Sequence, residues 1–194
     1  GLVVVARAGK FGPYVSLGRL PERPAPSSPA GKLMALPSHK VEIRVALGYL
    51  RLAAGRLDMP LAKNALQMQR RVSAGAIQKV AKAVHGGRPL MDVLHDPEAL
   101  GVSAEVRAGI EAFLALGEQL AALRSEGPQA VAQAAIELSD YGAEIMVSRS
   151  ADGPARLGNL EKLVAAVDGF ESLDSLIDEL DRQSEVDDLP KPKT

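Results

Sequence analysis

Residues 41–60 read VEIRVALGYLRLAAGRLDMP, and residues 61–82 continue as LAKNALQMQRRVSAGAIQKVAK. Apolar residues recur at helical spacing through this stretch, helix breakers fall between the runs, and only Glu42 and Asp58 are acidic. The pattern predicts three short helices, with the last two joined by a glycine-bearing turn. Basic residues occur along all three.

The turn between the second and third predicted helices concentrates the candidate binding residues. A helix start leaves backbone N–H groups unpaired, and these groups point toward any anion placed there. Small residues let a sugar-phosphate strand approach closely, and nearby cations displace condensed counterions. We therefore predict a nucleic-acid contact, with an ordinary solvated basic face as the alternative. The predicted site consists of Arg70, Arg71, Ser73, Gly75, Lys79 and Lys82.

Composition favours a helical protein. The chain has 194 residues, of which 46% are hydrophobic, so it can bury a real core in one domain or one and a half. Aromatic residues make up only 3% and Trp is absent, so the core must consist mainly of Leu, Val, Ile and Ala, which favours packed helices over a β-sandwich. The absence of Cys excludes disulfides and thiolate metal sites. Without a membrane-spanning apolar run or a signal-peptide pattern, we expect a cytoplasmic protein.

Charge is divided unevenly along the chain. Residues 1–90 contain 15 Lys and Arg against 3 Asp and Glu, whereas residues 91–194 contain 8 against 21. The balance is therefore +12 in the first part and −13 in the second, although the whole chain carries −1. This asymmetry indicates one side that faces a polyanion, or two halves that attract each other, and both can hold at once.

We predict a mainly α fold, a multi-helix domain with a short N-terminal β-hairpin or strand pair. The strands fall within residues 1–20, where a β-branched run is followed by a turn and a second extended run. Residues 21–37 are rich in proline and are predicted to be a linker or mobile loop. The helical domain covers residues 38–183, with Ser38 as its first N-cap, and residues 184–194 form an acidic tail expected to be disordered.

Four segments in order resemble the 2B subdomain of UvrD/PcrA/Rep-type superfamily 1A DNA helicases. VALGYLRLAAGRLD at 45–58 is similar to the family's ALxYLRLxxNPxDD, and RRVSAGAIQKV at 70–80 occupies the place of PxRGIGxxTIxKL. ELSDYGAEI at 137–145 resembles xxSGYxExL, and ARLGNLEKLV at 155–164 resembles xRLENLxELV. The resemblance covers roughly residues 40 to 182, and the last segment is its strongest part.

The resemblance implies a mostly helical insertion in the second RecA-like lobe of an ATP-dependent bacterial helicase, a hydrolase of the kind that acts in DNA repair. Such a domain contacts duplex DNA ahead of the unwinding junction and swings to regulate activity, so duplex or junction DNA and the RecA-like lobes are the implied partners. By position, Arg70, Arg71, Ser73, Gly75 and Lys79 would face the duplex backbone. The chain departs from the family where Gly-Ile-Gly is replaced by Val72-Ser73-Ala74. Its first helix also keeps only residues 41–43 of the usual FFERxEIKD approach.

Residues 1–20 permit two comparisons. Residues 12–15 (GPYV) after a valine run resemble a contracted form of the strand pair that precedes 2B, where AGIPYxxxG is common. They also resemble the GRYGPYV repeat of some bacterial type IA topoisomerases. The first is favoured because the helical portion agrees with it.

No catalytic centre is predicted in this chain. The phosphate-binding motif GxxxxGK[ST] is absent, so ATP and Mg²⁺ would belong to the parent helicase lobes and the chain itself has no cofactor. His39, His85 and His95 lack metal-ligand spacing, so no metal site is predicted. Acidic residues at 174, 178, 179 and 181 are spaced as the solvated face of the last helix. The alternative function is a protein-interaction or autoregulatory helical module that does not bind DNA, and a small helical enzyme is a third possibility.

Overall fold

The computed structural model describes residues 3–9, 12–18, 24–147 and 151–187. This part of the chain is mainly helical, so the prediction of a mainly α fold is confirmed. Strands β1 (Val3–Gly9) and β2 (Gly12–Gly18) pair antiparallel, with Val3 opposite Gly18. The helices are α1 (Pro29–Met34), α2 (Val41–Ala53), α3 (Met59–Gln67), α4 (Ala74–His85), α5 (Leu90–His95), α6 (Ala104–Ala122), α7 (Pro128–Leu138), α8 (Asp140–Val147), α9 (Gly153–Val167) and α10 (Leu173–Asp187), with short 3-10 helices at Pro97–Leu100 and Arg124–Glu126.

Local signals explain where most helices begin. Asp58 is the N-cap of α3, and its carboxylate accepts a hydrogen bond from the backbone N–H of Leu61 at 2.8 Å. Ser103 caps α6 in the same way through the N–H of Val106 at 3.3 Å. The prediction of Ser38 as the first N-cap is wrong, because α2 begins at Val41 after an N-cap residue that makes no side-chain capping bond.

Helix α2 lies at the centre of the fold and packs against α3, α6, α7 and α9. All of its residues from 45 to 53 are buried, including the charged Arg51. The core around it is built mainly from Leu, Val, Ile and Ala, as the composition indicated. Tyr49 and Phe113 form its aromatic pair, with ring centroids 5.9 Å apart.

Glycines let α6 approach its neighbours closely. A Cβ atom added at Gly117 would lie 2.6 Å from the Cγ of Leu52 on α2, a distance that real side chains do not adopt. The absence of a side chain at Gly117 leaves room for the side chain of Leu52 against the backbone of α6. Gly109 lies about two helical turns earlier on α6. It leaves room in the same way for the α3–α4 connection, because an added Cβ atom would lie 2.9 Å from a methyl group of Val72.

The predicted proline-rich linker contains a helix, which corrects the prediction for residues 29–34. Ser28 accepts a hydrogen bond from the N–H of Gly31 at 3.0 Å, and Pro29 occupies the first helical position. Leu33 is buried, and a Cβ added at Gly169 would lie 2.4 Å from the ring of Pro29. The proline content therefore marks a helix start that packs onto the α9–α10 connection.

At the C-terminal end, α10 continues to Asp187, so residues 184–187 of the predicted disordered tail are helical. The rest of that predicted tail, residues 188–194, lies outside the described residues, as do residues 1–2, 10–11, 19–23 and 148–150. Within the described part, none of the helices combines the length and the apolar character needed to cross a membrane.

Candidate nucleic-acid interface

The predicted site lies where α3 ends and α4 begins. Ser73 is the N-cap of α4, and its hydroxyl oxygen accepts a hydrogen bond from the N–H of Ala76 at 3.2 Å. The carbonyl of Ser73 accepts the first intrahelical bond, from the N–H of Ile77 at 3.1 Å. This geometry leaves the N–H groups of Ala74 and Gly75 at the helix start directed away from the helix.

All six residues of the predicted site are exposed, and together they form what we call the basic surface: Arg70, Arg71, Ser73, Gly75, Lys79 and Lys82. Around Gly75 there is open space, because an added Cβ atom would meet nothing closer than the Ser73 hydroxyl at 4.0 Å. A polymer backbone can therefore approach the start of α4 without a steric barrier.

The cations of the basic surface differ in their surroundings. In the part of the chain that the structure describes, the side chains of Arg71 and Lys82 have no ion-pair or hydrogen-bond partner. Lys79, by contrast, donates a hydrogen bond from its Nζ to the carbonyl oxygen of Gly101 at 2.7 Å. The ammonium group of Lys79 is thus held at the C-terminal end of the 3-10 helix Pro97–Leu100, although it remains exposed.

The stretch of sequence around the basic surface contains no acidic residue. Residues 59–91 contain six Lys and Arg residues and no Asp or Glu. Of these six, Arg88 is paired outside the segment, with Asp96 at 3.1 Å. The excess positive charge is therefore concentrated on α3, α4 and their connection.

Other arginines of the first half are paired with the last helix. Arg56 contacts Asp178 and Asp181, each at 2.5 Å, and Arg51 contacts Asp181 at 2.5 Å and Asp58 at 3.9 Å. The hydrogen bond with Asp178 raises the pKa of Arg56 above its usual value. Part of the expected attraction between the two halves therefore occurs at the α2–α3 connection.

The predicted solvated face of the last helix holds for three of its acidic residues, whereas Glu179 keeps a side-chain exposure of only 14%. Asp174, Asp178 and Asp181 keep side-chain exposures of 56%, 68% and 37%, yet each pairs with an arginine, the first with Arg124 at 2.8 Å. Sequence spacing identifies the outward face of a helix, but it does not show which residues of other helices stand beside it.

The connection between α3 and α4 is held in place by contacts with α2 and α6. The side chain of Gln69 is buried and donates a hydrogen bond to the hydroxyl oxygen of Tyr49 at 2.6 Å. A Cβ atom added at Gly109 of α6 would lie 2.9 Å from a methyl group of Val72 and 3.0 Å from the carbonyl oxygen of Arg70. Sequence spacing does not identify these contacts, and the one sign of them in the sequence is a glycine inside a long, otherwise apolar helix face.

Two further resembling segments meet elsewhere in the fold. Arg156 donates a hydrogen bond to the hydroxyl of Tyr141 at 2.6 Å, and its guanidinium lies 5.3 Å from the centroid of that ring. Asn159 donates to the buried carboxylate of Glu42 at 2.7 Å. Burial raises the pKa of Tyr141, and the hydrogen bond from Arg156 opposes this effect. These side chains join α2, α8 and α9 internally.

The described residues include no group of three or more His, Asp or Glu side chains placed to hold a metal ion. His39, His85 and His95 are all exposed. One ring nitrogen of His85 lies 2.7 Å from the carbonyl oxygen of Ala81, within its own helix. The histidines therefore do not converge on a common site in the described part.

No protein-family model matches this chain, and no curated protein matches it. The chemistry of the candidate interface must therefore be argued from its own residues.

Proposed function

We propose that this chain is a 2B-like accessory domain of an ATP-dependent DNA helicase and that it binds duplex DNA through the basic surface. One observation carries the proposal: the six residues selected from the sequence are all exposed around the start of α4, within a segment that has no acidic residue. A phosphate backbone is the polyanion that such a surface fits, because each phosphate that is neutralised releases a condensed counterion.

Each residue type would contribute differently. Arg71 and Lys82 have no partner in the described part of the chain, so binding a phosphate would break no internal contact of theirs. Ser73 and Gly75 keep the start of α4 small, so that a sugar-phosphate strand can approach. Lys79 would act through its positive charge while its ammonium group stays near Gly101.

In this proposal the domain supplies DNA contact and regulation, and chemistry occurs in the rest of the enzyme. The RecA-like lobes would bind ATP and Mg²⁺ and would hydrolyse the nucleotide. This chain lacks the GxxxxGK[ST] motif, so the isolated chain is expected not to turn over ATP. Duplex DNA, or a junction of duplex and single strand, would be the ligand, and the location would be the bacterial cytoplasm.

The test is to replace Arg70 and Arg71 together with alanine and to measure binding of a labelled duplex with a single-stranded tail. Each phosphate contact adds about −0.9 to the slope of the logarithm of the binding constant against the logarithm of the salt concentration. Lowering the salt from 1 M to 50 mM therefore strengthens binding roughly 15-fold for each contact, since 20 to the power 0.9 is about 15. If both arginines contact phosphates, affinity at 50 mM salt should fall by about 200-fold.

The matched control is the double variant Lys32→Ala and Lys162→Ala. These two exposed lysines line the same cavity between α1 and α9, and their removal changes the net charge by the same amount. Affinity of the control should stay within a few-fold of the unmodified chain. Equal losses in the two double variants would show that only overall charge matters, and this would contradict the assignment of the site.

A second candidate function, a protein-interaction module, is favoured by an apolar groove between α7 and α9. The groove encloses about 320 Å³, and helically spaced side chains line it on both helices, with glutamates at its rim. An amphipathic helix with basic flanks would match this shape and charge. The lining includes Gln133, Ile136, Glu137, Leu157, Glu161 and Val164.

Binding of a synthetic helical peptide, with leucines at i, i+3 and i+7 and lysines beside them, tests this second candidate. The peptide should bind the unmodified chain and should lose affinity when Leu157 is changed to Glu. A peptide with glutamates in place of the lysines should bind more weakly, because Glu137 and Glu161 would repel it. Equal binding of both peptides would contradict the charge argument.

A further inference from the structure

We infer that Gly109 of α6 is a positioning residue for DNA binding: it lets the connection between α3 and α4 seat against α6, which fixes how Arg70 and Arg71 are presented. This inference rests on the proposed DNA-binding function and adds a residue that has no charge and stands behind the basic surface. Three observations on the described residues carry it, one backbone angle and two sets of contacts.

The first observation is the backbone of Arg71. Its φ angle is 73°, and among the described residues it is the only one other than glycine with a positive φ. This left-handed conformation brings Cβ close to the following carbonyl oxygen, so an arginine adopts it only where the surroundings hold it there. An exposed arginine of the basic surface thus has a left-handed backbone conformation.

The second observation is the fit of the connection against α6. At Gly109 an added Cβ atom would lie 2.9 Å from a methyl group of Val72, 3.0 Å from the carbonyl oxygen of Arg70 and 3.4 Å from the Cβ of Arg71. Valine is stiff about χ1, and the carbonyl belongs to the backbone, so neither atom can move aside by a simple rotamer change. Even one methyl group at position 109 would therefore displace the residues on either side of Arg71.

The third observation is the hydrogen bond at the start of the connection. Gln69 donates to the hydroxyl of Tyr49 at 2.6 Å, and the ring of Tyr49 packs against Phe113 of α6. Residues 69 and 72 are thus both fixed relative to α6, one through a buried hydrogen bond and one through direct contact. With both ends fixed, the backbone between them has little freedom to leave the left-handed conformation.

It follows that DNA affinity depends on the contact between the α3–α4 connection and Gly109 of α6, as well as on the cations. With the connection displaced, Arg70 and Arg71 keep their charges but lose their fixed directions relative to Lys82 and the start of α4. The number of phosphates that they can contact together then falls. The expected signature is a smaller dependence of binding on salt, without any change in the net charge of the protein.

The experiment compares Gly109→Ala with Gly117→Ala, using the labelled tailed duplex across 50 mM to 500 mM salt. Gly117→Ala is the matched control, because its Cβ would crowd Leu52 on α2 at 2.6 Å and would touch no part of the connection. Circular dichroism and melting confirm that each variant is folded at the assay temperature. Gly109→Ala should lower the salt slope by about 0.9 to 1.8 and the affinity at 50 mM salt by at least about 15-fold, and Gly117→Ala should leave both unchanged.

A rescue variant and a second probe distinguish positioning from general destabilisation. Adding Val72→Ala to Gly109→Ala removes the closest clash but leaves the one with the carbonyl oxygen of Arg70, so it should restore part of the salt slope. Gln69→Ala tests the other anchor should Gly109→Ala fail to fold, and it should also reduce the slope.

Three outcomes are decisive. Unchanged binding in Gly109→Ala, or equal losses in Gly109→Ala and Gly117→Ala, would overturn the inference while leaving DNA binding intact. Absence of binding by the unmodified chain would instead overturn the proposed function.

Discussion

Replacing Arg71 with glycine should make the protein more stable and at the same time weaken its binding to DNA. A residue other than glycine in the left-handed region costs about 1–2 kcal/mol, and Arg71 has a φ of 73°. Glycine removes this cost but adds about 0.5–1 kcal/mol of conformational freedom to the unfolded chain. With the midpoints of these ranges, the net gain in the free energy of unfolding is about 0.75 kcal/mol relative to an alanine at the same position.

Arg71→Ala and Arg71→Gly together separate backbone strain from charge. Both remove one cation, so both should reduce the salt slope by about 0.9 and the affinity at 50 mM salt by about 15-fold. Only Arg71→Gly relieves the strain, so it should melt about 1–4 °C above Arg71→Ala, given 2–4 °C per kcal/mol for a chain of this size. Differential scanning calorimetry and fluorescence anisotropy measure the two effects on the same samples.

Two results would refute this reasoning. Equal melting temperatures of Arg71→Ala and Arg71→Gly would show that position 71 carries no strain. Binding of both variants with the affinity and salt slope of the unmodified chain would show that the guanidinium does not contact DNA.

Three further predictions concern the rest of the fold. Asn159→Leu leaves the buried carboxylate of Glu42 without the hydrogen bond it accepts at 2.7 Å, so the free energy of unfolding should fall by about 1–3 kcal/mol, and unchanged urea denaturation would contradict this. Burial tends to raise the pKa of Glu179, but hydrogen bonds from Arg182 and Gln183 outweigh burial, so the pKa is lowered overall. The ionised Glu179 therefore stabilises the folded protein above the usual pKa, and this stabilisation is lost as the pH falls through the lowered pKa. The stability difference between the unmodified chain and Glu179→Gln should then shrink on acidification, and a constant difference would count against it. Burial raises the pKa of Tyr141, so this tyrosine should ionise at a higher pH than an exposed one. In a titration followed by absorbance at 295 nm, Tyr141→Phe should remove the ionisation at the higher pH, and loss of an ionisation at the usual pH of a tyrosine would contradict this.

Local chemistry explains what could be read from the sequence. Asp58 and Ser103 can be recognised as helix starts in the sequence because a capping side chain and its N–H partner lie three residues apart, a distance that sequence displays directly. The exposure of Lys82 follows from its charge and from helical spacing within α4 in the same way. Such predictions depend on interactions within one or two helical turns.

What the sequence did not show depends on contacts between distant elements. Lys79 was expected to face the duplex, but its ammonium group donates to Gly101, which lies 22 residues away. Asp178 and Asp181 of α10 are likewise far in sequence from Arg56, which they contact. Gly109 is also far in sequence from the α3–α4 connection, which packs against it. Composition also misled in one place, because prolines that indicated a linker include Pro29, which starts a helix.

The most direct test of the central claim is the binding of the unmodified chain to a labelled duplex with a single-stranded tail, measured across salt concentration. The account predicts binding at 50 mM salt and a log–log slope between about −1.8, if only Arg71 and Lys82 contact phosphates, and about −3.6, if Arg70 and Lys79 contact them as well. Absence of binding at low salt, or a slope near zero, would contradict the claim that the basic surface is a DNA interface.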